Sequence, residues 1–527
     1  MTRTRLGGIE FVAVSVPMLL GILVRIAPVA GSDFPVGDGG MFYVMVREIQ
    51  RAGMTIPAST AYNHAGVPFA YPPLGLWVAA LLGTILPVPL LAIFQWWPVV
   101  CSVVMLPVFY VLARRILGSW FEAVLALGAF ALLPRSFEWL ITGGAVTRAP
   151  GYVLGLLAMW AAVAAVDTGR RSYVALAALA AGLAIMTHPN AALVTVVSLI
   201  VVGTLRRRSR HALMVLVAVG IGAAVVSSPW WLVVLVRFGA APLRSAIGTD
   251  GQLGLISGAY QLLRFNFAEE PFMPWITGMA ALGLAWSLAR REALLPVWLV
   301  GIVLLDANAA PTDATVPLAM LAAVGLGRVV LPALAGSVEH VRDRPGEALL
   351  SSRAVRLTVT ALLGLAFLGA IARPIQEDSP DHAVPSDVRT AMTWVATNTP
   401  PRAAFVVVTG RDWFSDAVSE WFPAIADRVS VATVQGHEWL GSAGWWRQQR
   451  LDADLQACST ATTACLTAWM RHYGIAADYV FLPKGRVDGP LSPSDCCTAL
   501  RQTLPTTAGA TVVYNSAGAT IVRVSGP

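Results

Sequence analysis

The sequence carries little charge. Only 13% of its 527 residues are Asp, Glu, Lys or Arg, whereas soluble domains usually carry about a quarter. Hydrophobic residues make up 56% of the chain, and the mean hydropathy is +0.66. This composition excludes an ordinary soluble protein. It predicts a polytopic α-helical membrane protein with about 11–13 membrane helices.

Lysine is nearly absent. Lys484 is the only lysine among the 37 Lys and Arg residues, so the formal net charge of +7 comes from arginine. These arginines stand in short clusters between apolar runs, which is the positive-inside pattern of membrane proteins. The basic charge therefore predicts contact with a lipid bilayer and no nucleic-acid partner.

Long apolar runs predict the membrane helices. They lie near residues 9–27, 91–113, 119–134, 149–167, 173–187, 190–205, 211–236, 274–289, 293–306, 314–333 and 355–372. Segment 72–86 is apolar but short. The N-terminus could pass for a signal peptide, but we favour an uncleaved first helix because more spans follow it.

The arginine clusters test this map. All of them fall on the cytoplasmic side if segment 72–86 enters the membrane without crossing it. The clusters are Arg3/Arg5, Arg114/Arg115, Arg170/Arg171, residues 206–210, Arg290/Arg291 and Arg342/Arg344/Arg353. The opposite, exoplasmic face then collects residues 28–71, 142–148, 188–189, 237–272, 306–313 and everything after residue 373. We therefore predict a multi-pass cell-membrane protein whose C-terminal domain is extracytoplasmic.

The chain divides into a transmembrane module, residues 1–375 with an exoplasmic loop at 28–71, and a soluble exoplasmic α/β domain, residues 385–527. Strands are predicted near 404–409, 429–434, 479–482, 511–514 and 520–524, with helices at 386–397, 451–473 and 494–503. Four of the five cysteines fall in this domain, where disulfides are permitted. No CxxC pair is present; a Cys458–Cys465 bridge, with Cys496 or Cys497 free or paired, is one of several arrangements.

An acidic, Gly-rich loop follows the first span. It reads PVGDGGMFY over residues 35–43 and leads into an amphipathic segment at 44–52, which predicts a helix lying at the membrane interface. The carboxylate of Asp38 can deprotonate an acceptor hydroxyl or bind a divalent cation. It is equally consistent with a helix N-cap or a turn residue, and Asp33 has the same ambiguity.

The order of several short motifs resembles the GT-C superfamily of integral-membrane glycosyltransferases. The motifs are the acidic DGGMFY loop, YPPLGLW at 71–77, LARRILG at 112–118, Gly143-Gly144 and THP at 187–189. The resemblance implies an exoplasmic active site, a polyprenyl-phosphate-linked sugar as donor and a glycan, lipid or protein as acceptor. It also implies that Asp38 is the catalytic aspartate, with Asp33 as the alternative.

The sequence departs from the family pattern in two places. The WWDYG motif of the oligosaccharyltransferase branch is absent, so transfer of a whole oligosaccharide to asparagine is not expected. Gly39 follows Asp38 where the family usually has a pair of acidic residues. A divalent cation, Mg²⁺ or Mn²⁺ held by Asp38, is therefore the candidate cofactor but its requirement stays open.

Cationic and polar groups on the same face are candidates for binding the donor. Arg148 is the first choice, because guanidinium binds phosphate bidentately, although a snorkelling arginine at a span end fits equally well. His188 and His64 can donate to phosphate or move a proton, but each is more often structural. Tyr71 in the YPPL motif and Arg264 complete this set.

The soluble domain has two stretches that combine tryptophan with a carboxylate, EWFPA at 420–424 and QGHEWL at 435–440. Aromatic faces and carboxylates suit sugar stacking and hydroxyl recognition, which makes Glu438 a substrate-binding candidate. Such aromatics equally suit seating the domain on the lipid headgroups.

The leading hypothesis is thus a polyprenyl-phosphate-sugar-dependent glycosyltransferase acting on an exoplasmic hydroxyl. A polytopic transporter or lipid flippase is the main alternative, but no inverted repeat and few mid-span charges are evident. A non-catalytic glycan-binding membrane scaffold is the third reading, and it predicts that Asp38 is dispensable.

Overall fold

The computed structural model describes residues 2–249, 255–265, 269–270, 272–305, 309–335, 349–350, 352–373, 382–484 and 496–524. Arg342 and Arg344 of the predicted cytoplasmic cluster lie outside these residues. So do residues 306–308 of one predicted exoplasmic loop and residues 494–495 of a predicted helix.

The first three quarters of the chain are helical. The helices are Thr2–Ala30, Gly40–Arg51, Leu74–Ile85, Leu90–Leu117, Trp120–Leu132, Ala145–Thr168, Arg171–Ile185, Pro189–Arg206, Arg210–Phe238, Ala241–Thr249, Leu255–Arg264, Trp275–Ala289, Leu294–Leu305, Ala310–Asp313, Thr315–Gly325, Leu331–Ala335 and Arg353–Ala372. By length and composition, seven helical segments of the described chain can cross a membrane, or eight if one bent pair counts as a span. The predicted count of about 11–13 includes shorter apolar helices such as Trp275–Ala289, whose 15 residues extend about 22 Å.

The bent pair replaces the single span predicted at 119–134. Helix Trp120–Leu132 ends before Pro134, and the chain turns by 89° into the segment Pro134–Leu140. Proline disfavours helical backbone in the residue before it and cannot donate its own hydrogen bond, so the helix stops there. The bend carries Trp139 and the glycines at 143 and 144 to the same end of the bundle as the acidic loop.

The bundle is held by small residues that let helices approach closely, as is usual in membranes. Gly283 and Gly325 show this most clearly: a Cβ built at Gly283 would lie 1.9 Å from the backbone oxygen of Leu321, and one at Gly325 would lie 2.0 Å from that of Met279.

The fully buried Arg25 of the first helix has its hydrogen-bonding partners inside the bundle. Its guanidinium donates to the carbonyl oxygen of Ala131 at 2.7 Å, among other partners.

The C-terminal domain is a small α/β unit, as predicted. Its strands are β1 Ala404–Val407, β2 Val429–Ser430, β3 Tyr479–Pro483, β4 Ala510–Asn515 and β5 Ala519–Val524, in the order β2-β1-β3-β5-β4. β1 is parallel to β2 and β3, while β5 is antiparallel to β3 and β4. The helices are Ser386–Asn398, Ala417–Ala426, Ser442–Gln456, Thr463–Tyr473 and Thr498–Thr503. Disulfides join Cys458 to Cys465 and Cys496 to Cys497.

Helix Ala417–Ala426 of the domain, which we call the docking helix, contacts residues 31–39, where the acidic loop begins. The indole of Trp421 is fully buried, donates to the carbonyl oxygen of Gly37 at 3.0 Å and packs edge-on against Phe34 at 4.7 Å. Nearby, the Asn63 side chain exchanges two hydrogen bonds with the backbone of Ser430, at 2.7 and 3.0 Å. Loop and domain therefore form one continuous interface.

Candidate active site

Asp38 lies where the acidic loop meets the start of helix Ala145–Thr168, beside the interface with the C-terminal domain. Its carboxylate accepts a hydrogen bond from the backbone N–H of Gly144 at 3.2 Å, and its own carbonyl oxygen accepts from the same N–H at 2.8 Å. The other carboxylate oxygen lies 3.3 Å from the guanidinium of Arg148. The Asp38 side chain remains 24% exposed, so an acceptor hydroxyl can reach it.

Two glycines make this approach possible. A Cβ on Gly144 would lie 2.4 to 2.6 Å from the three atoms of the Asp38 carboxyl group, and one on Gly143 would lie 2.5 Å from the Asp38 carbonyl oxygen. Atoms that are not bonded avoid such distances, so a side chain at either position would displace Asp38. Gly39 meets a further requirement, because its φ of 137° is rarely adopted by other residues. The Gly143-Gly144 motif thus shapes the pocket for Asp38.

Arg148 is held in the first turn of helix Ala145–Thr168. One guanidinium nitrogen donates to the carbonyl oxygen of Trp139 at 2.7 Å, and the guanidinium lies over the Trp139 ring at 5.6 Å from its centre. A second nitrogen makes the contact with Asp38. The side chain is 19% exposed, which leaves the cation open to an anionic ligand.

Tyr71 and His188 flank the pair. The Tyr71 hydroxyl hydrogen-bonds to that of Thr147 at 3.0 Å, and its ring packs against those of His188 and Trp439 at 6.3 and 5.8 Å. Burial raises the pKa of Tyr71 above its ordinary value, so the hydroxyl stays protonated. Burial, aided by the Arg148 charge, lowers the pKa of His188 well below its ordinary value. Its Nδ1 accepts from the N–H of Ala191 at 3.3 Å, so His188 is a neutral cap of its helix that can donate only from Nε2.

A second carboxyl reaches the site from the docking helix. Oε1 of Glu420 accepts the backbone N–H of Gly39 at 3.1 Å, and its carbonyl oxygen accepts from the Tyr62 hydroxyl at 2.7 Å. Burial, together with the charge of Asp38, raises the pKa of Glu420 to about 8. In the sequence, Glu420 stands out only as part of the aromatic stretch EWFPA. No local pattern indicates that it meets residue 39, which lies 381 positions earlier.

Three predicted residues lie apart from this group. The Asp33 carboxylate points to Arg389 of the C-terminal domain at 2.5 Å and is 70% exposed. His64 lies 3.8 Å from Asp427 on the domain surface. Arg264 is exposed on its own short helix. Asp33 and His64 thus each face a charged residue of the C-terminal domain, and Arg264 lies over the ring of Tyr260.

Glu438 lies at the edge of the site. One of its carboxylate oxygens accepts the N–H of Gly436 at 2.8 Å, and its carbonyl oxygen accepts the Ser245 hydroxyl at 2.5 Å. The adjacent Trp439 packs on Tyr71. Glu438 thus belongs to the wall that the C-terminal domain adds beside Tyr71.

A divalent cation does not fit the residues around Asp38. One Asp38 carboxylate oxygen accepts from the N–H of Gly144, and the other lies 3.3 Å from the guanidinium of Arg148, whose positive charge repels a second cation. Within the described ranges, no three His, Cys, Asp or Glu side chains are arranged to hold a metal ion.

A further polar group, which no sequence motif indicates, includes Tyr152, one turn after Arg148 on helix Ala145–Thr168. The Tyr152 hydroxyl hydrogen-bonds to Asp313, and the side-chain amide of Asn190 donates to the other Asp313 oxygen at 3.0 Å. Asp313 is only 2% exposed. Tyr152 and Asp313 border a cavity between the helices whose other walls are mainly apolar, including Leu156 and Trp298.

Comparison with known proteins assigns the fold. The profile of the dolichyl-phosphate-mannose-protein mannosyltransferase family matches residues 70–232, while no curated protein matches the chain. Solved structures of GT-C glycosyltransferases match nearly the whole chain in fold. The protein therefore has the GT-C fold and is an integral multi-pass membrane protein, which confirms the resemblance found in the sequence.

Two enzymes illustrate the match. The oligosaccharyltransferase AglB from Archaeoglobus fulgidus, in complex with an inhibitory peptide and a dolichol-phosphate, has a TM-score of 0.59 and 14% identity over 90% of this chain and 69% of its own. The same organism's enzyme in complex with Zn and sulfate has a TM-score of 0.58 and 14% identity, over 90% and 68%. ArnT from Cupriavidus metallidurans in the apo state has a TM-score of 0.53 and 16% identity, over 98% of both chains. At these identities the likeness shows the fold.

Proposed function

We propose that this protein is a membrane glycosyltransferase that moves a sugar from a polyprenyl-phosphate donor to a hydroxyl of a glycan, lipid or protein acceptor. The observation that carries the proposal is the pair formed by Asp38 and Arg148, a partly exposed carboxylate 3.3 Å from a partly exposed guanidinium. A proton acceptor and a phosphate-binding cation thus stand side by side. The GT-C fold and the matched family's dolichyl-phosphate-mannose donor support a lipid-phosphate leaving group.

The proposed reaction is a direct displacement. Asp38 takes the proton of the acceptor hydroxyl while that oxygen attacks the anomeric carbon of the sugar. The bond between the anomeric carbon and the phosphate oxygen breaks, and polyprenyl phosphate leaves with the electron pair. Arg148 stabilises the negative charge that develops on the phosphate. Attack from the opposite face inverts the anomeric configuration.

The neighbouring residues support this assignment of roles. The protonated hydroxyl of Tyr71 and the neutral ring of His188 add hydrogen-bonding groups beside Arg148 without adding charge. The arginine clusters on the other side of the predicted topology support an extracytoplasmic active site. The apolar helices around the pair offer a surface for the polyprenyl chain.

The test uses the full-length protein in lipid nanodiscs with radiolabelled polyprenyl-phosphate mannose. An oligosaccharide, a glycerolipid and a Ser/Thr peptide serve in turn as acceptors. Asp38→Asn is expected to lower sugar transfer about 10²- to 10⁴-fold, whereas the matched variant Asp33→Asn keeps it. Arg148→Lys is expected to raise the donor KM, because lysine loses the bidentate geometry.

The alternative functions give different results. Transfer that is unchanged in Asp38→Asn would remove the catalytic assignment. Movement of the labelled donor across proteoliposomes, without sugar transfer to any acceptor, would indicate a flippase. Glycan binding that persists without turnover in the wild-type protein would indicate a scaffold.

A further inference from the structure

The loop helix, Gly40–Arg51, has no side chain of its own to cap its N-terminus. Its N-cap residue is Gly39, which has no hydrogen-bonding side chain. The first N–H groups of a helix lack partners within the helix, and leaving one unpaired in a buried place costs about 1–3 kcal/mol. Gly40 and Met41 are buried here, so the cap has to come from elsewhere.

The docking helix supplies it. Oε1 of Glu420 accepts the N–H of Gly39 at 3.1 Å, and the backbone N–H groups of Gly39 and Met41 both favour the charged form of this carboxyl group. Glu420 is 4% exposed, so water does not substitute for it. A side chain of the C-terminal domain thus performs the role that Ser, Thr, Asp or Asn usually performs locally.

The fit around this contact is close. A Cβ on Gly40 would lie 2.6 Å from the carbonyl oxygen of Glu420 and 3.0 Å from the Cα of Trp421. The Tyr62 hydroxyl fixes the same carbonyl oxygen. The docking helix is therefore held against the residues that immediately follow Asp38.

We propose that Glu420 is a positioning residue for the transfer reaction: it caps the loop helix from the C-terminal domain and thereby fixes the backbone that carries Asp38. The inference rests on the proposed function for its effect on turnover. It makes the C-terminal domain part of the active site, so that correct docking of the domain is required before Asp38 is in place. A misplacement of about 1 Å in a reacting group can cost about 10²-fold in rate.

Three substitutions separate positioning from proton transfer. Glu420→Gln keeps an acceptor oxygen at the same reach, Glu420→Asp keeps the acid but withdraws it by one methylene, and Glu420→Ala removes both. If Glu420 positions the loop, the order of activity is wild type, then Gln, then Asp and Ala. If it transferred a proton, Asp would be the active variant and Gln the inactive one. Asp427→Asn serves as control, because it alters an exposed carboxylate at the same interface.

The first measurement is hydrogen exchange of the amides at residues 39–43 in the full-length protein in nanodiscs. In Glu420→Ala these amides are expected to exchange about tenfold faster, with little change in Glu420→Gln or in the control. The second is steady-state kinetics with polyprenyl-phosphate mannose. We expect kcat to fall about tenfold in Glu420→Ala and Glu420→Asp, with less than about a twofold change in the donor KM.

Equal exchange in wild type and Glu420→Ala would overturn the capping role, and activity of Asp above Gln would overturn the positioning role. If Glu420→Ala fails to fold, the activities of Glu420→Gln and Glu420→Asp still show whether Glu420 positions the loop or transfers a proton. Failure of the proposed function is recognised separately. In that case Asp38→Asn leaves transfer unchanged, while the exchange of the loop amides still reports whether Glu420 caps the helix.

Discussion

Replacing Gly144 with alanine is expected to displace the Asp38 carboxylate without changing any charged group. The added methyl carbon would lie 2.4 Å from Oδ2, 2.5 Å from Cγ and 2.6 Å from Oδ1 of Asp38. Ordinary contacts between carbon and such atoms begin near about 3.4 Å, so the carboxyl group has to retreat by about 1 Å. We expect kcat for sugar transfer to fall about 10²-fold. The overpacking itself is expected to cost about 1–3 kcal/mol of stability.

The controls separate these two effects. Gly203→Ala places a methyl carbon 2.4 Å from the side chain of Leu216, far from Asp38, and Gly220→Ala meets no atom within 4 Å. Thermal unfolding and transfer are measured for all three variants in nanodiscs. Gly203→Ala is expected to lose stability but keep its kcat, and Gly220→Ala to keep both. A Gly144→Ala protein with wild-type kcat would refute the view that the position of the Asp38 carboxylate limits the reaction.

Three further outcomes are expected. Tyr71→Phe removes the hydrogen bond to Thr147, which contributes about 1 kcal/mol, and should raise the donor KM a few-fold. Thr147→Val removes the same bond and should raise the donor KM equally in the transfer assay. Asp33→Asn breaks an exposed pair with Arg389 and should change the thermal midpoint little, because such pairs contribute about 0–1 kcal/mol. Burial raises the pKa of Asp452 to about 8, so the folded state holds a proton that the unfolded state releases above about pH 4. Stability should therefore fall as pH rises from about 4 to 8, by at most about 1.4 kcal/mol per pH unit. Asp452→Asn should flatten this pH dependence in thermal unfolding, and an unchanged slope would contradict the assignment.

Several features of the fold follow directly from sequence pattern. Apolar runs located most of the helices to within a few residues, because the bilayer demands long uninterrupted stretches. Alternating and β-branched residues located all five strands of the C-terminal domain. The span predicted at 119–134 was wrong in shape, since Pro134 ends the helix and the chain turns sharply. A hydropathy average over the segment does not register such a break, whereas the backbone cannot continue as a regular helix past Pro134.

The candidate site was only partly visible in the sequence. Asp38 and Arg148 were found because the loop and the span end carry recognisable residues on one predicted face. Asp33 remains an alternative to Asp38 in the sequence, since sequence alone does not show that it faces Arg389. The contact of Glu420 with Gly39 could not be predicted, because it joins residues 381 positions apart through the docking of two modules.

Charges in a membrane protein can be sorted by how fully the protein satisfies them. Arg25 is completely buried, and carbonyl and hydroxyl oxygens surround its guanidinium. Glu122 and Arg328 form a bidentate pair at 2.8 and 2.9 Å. Groups paired in this way have few hydrogen-bonding atoms left for a ligand, and removing one partner would leave the other unpaired inside the bundle. Asp38 and Arg148 differ because a single contact of 3.3 Å joins them, and the Asp38 side chain is 24% exposed. A phosphate that draws the guanidinium away would free one carboxylate oxygen for an acceptor hydroxyl, which is the chemistry that the proposed transfer requires.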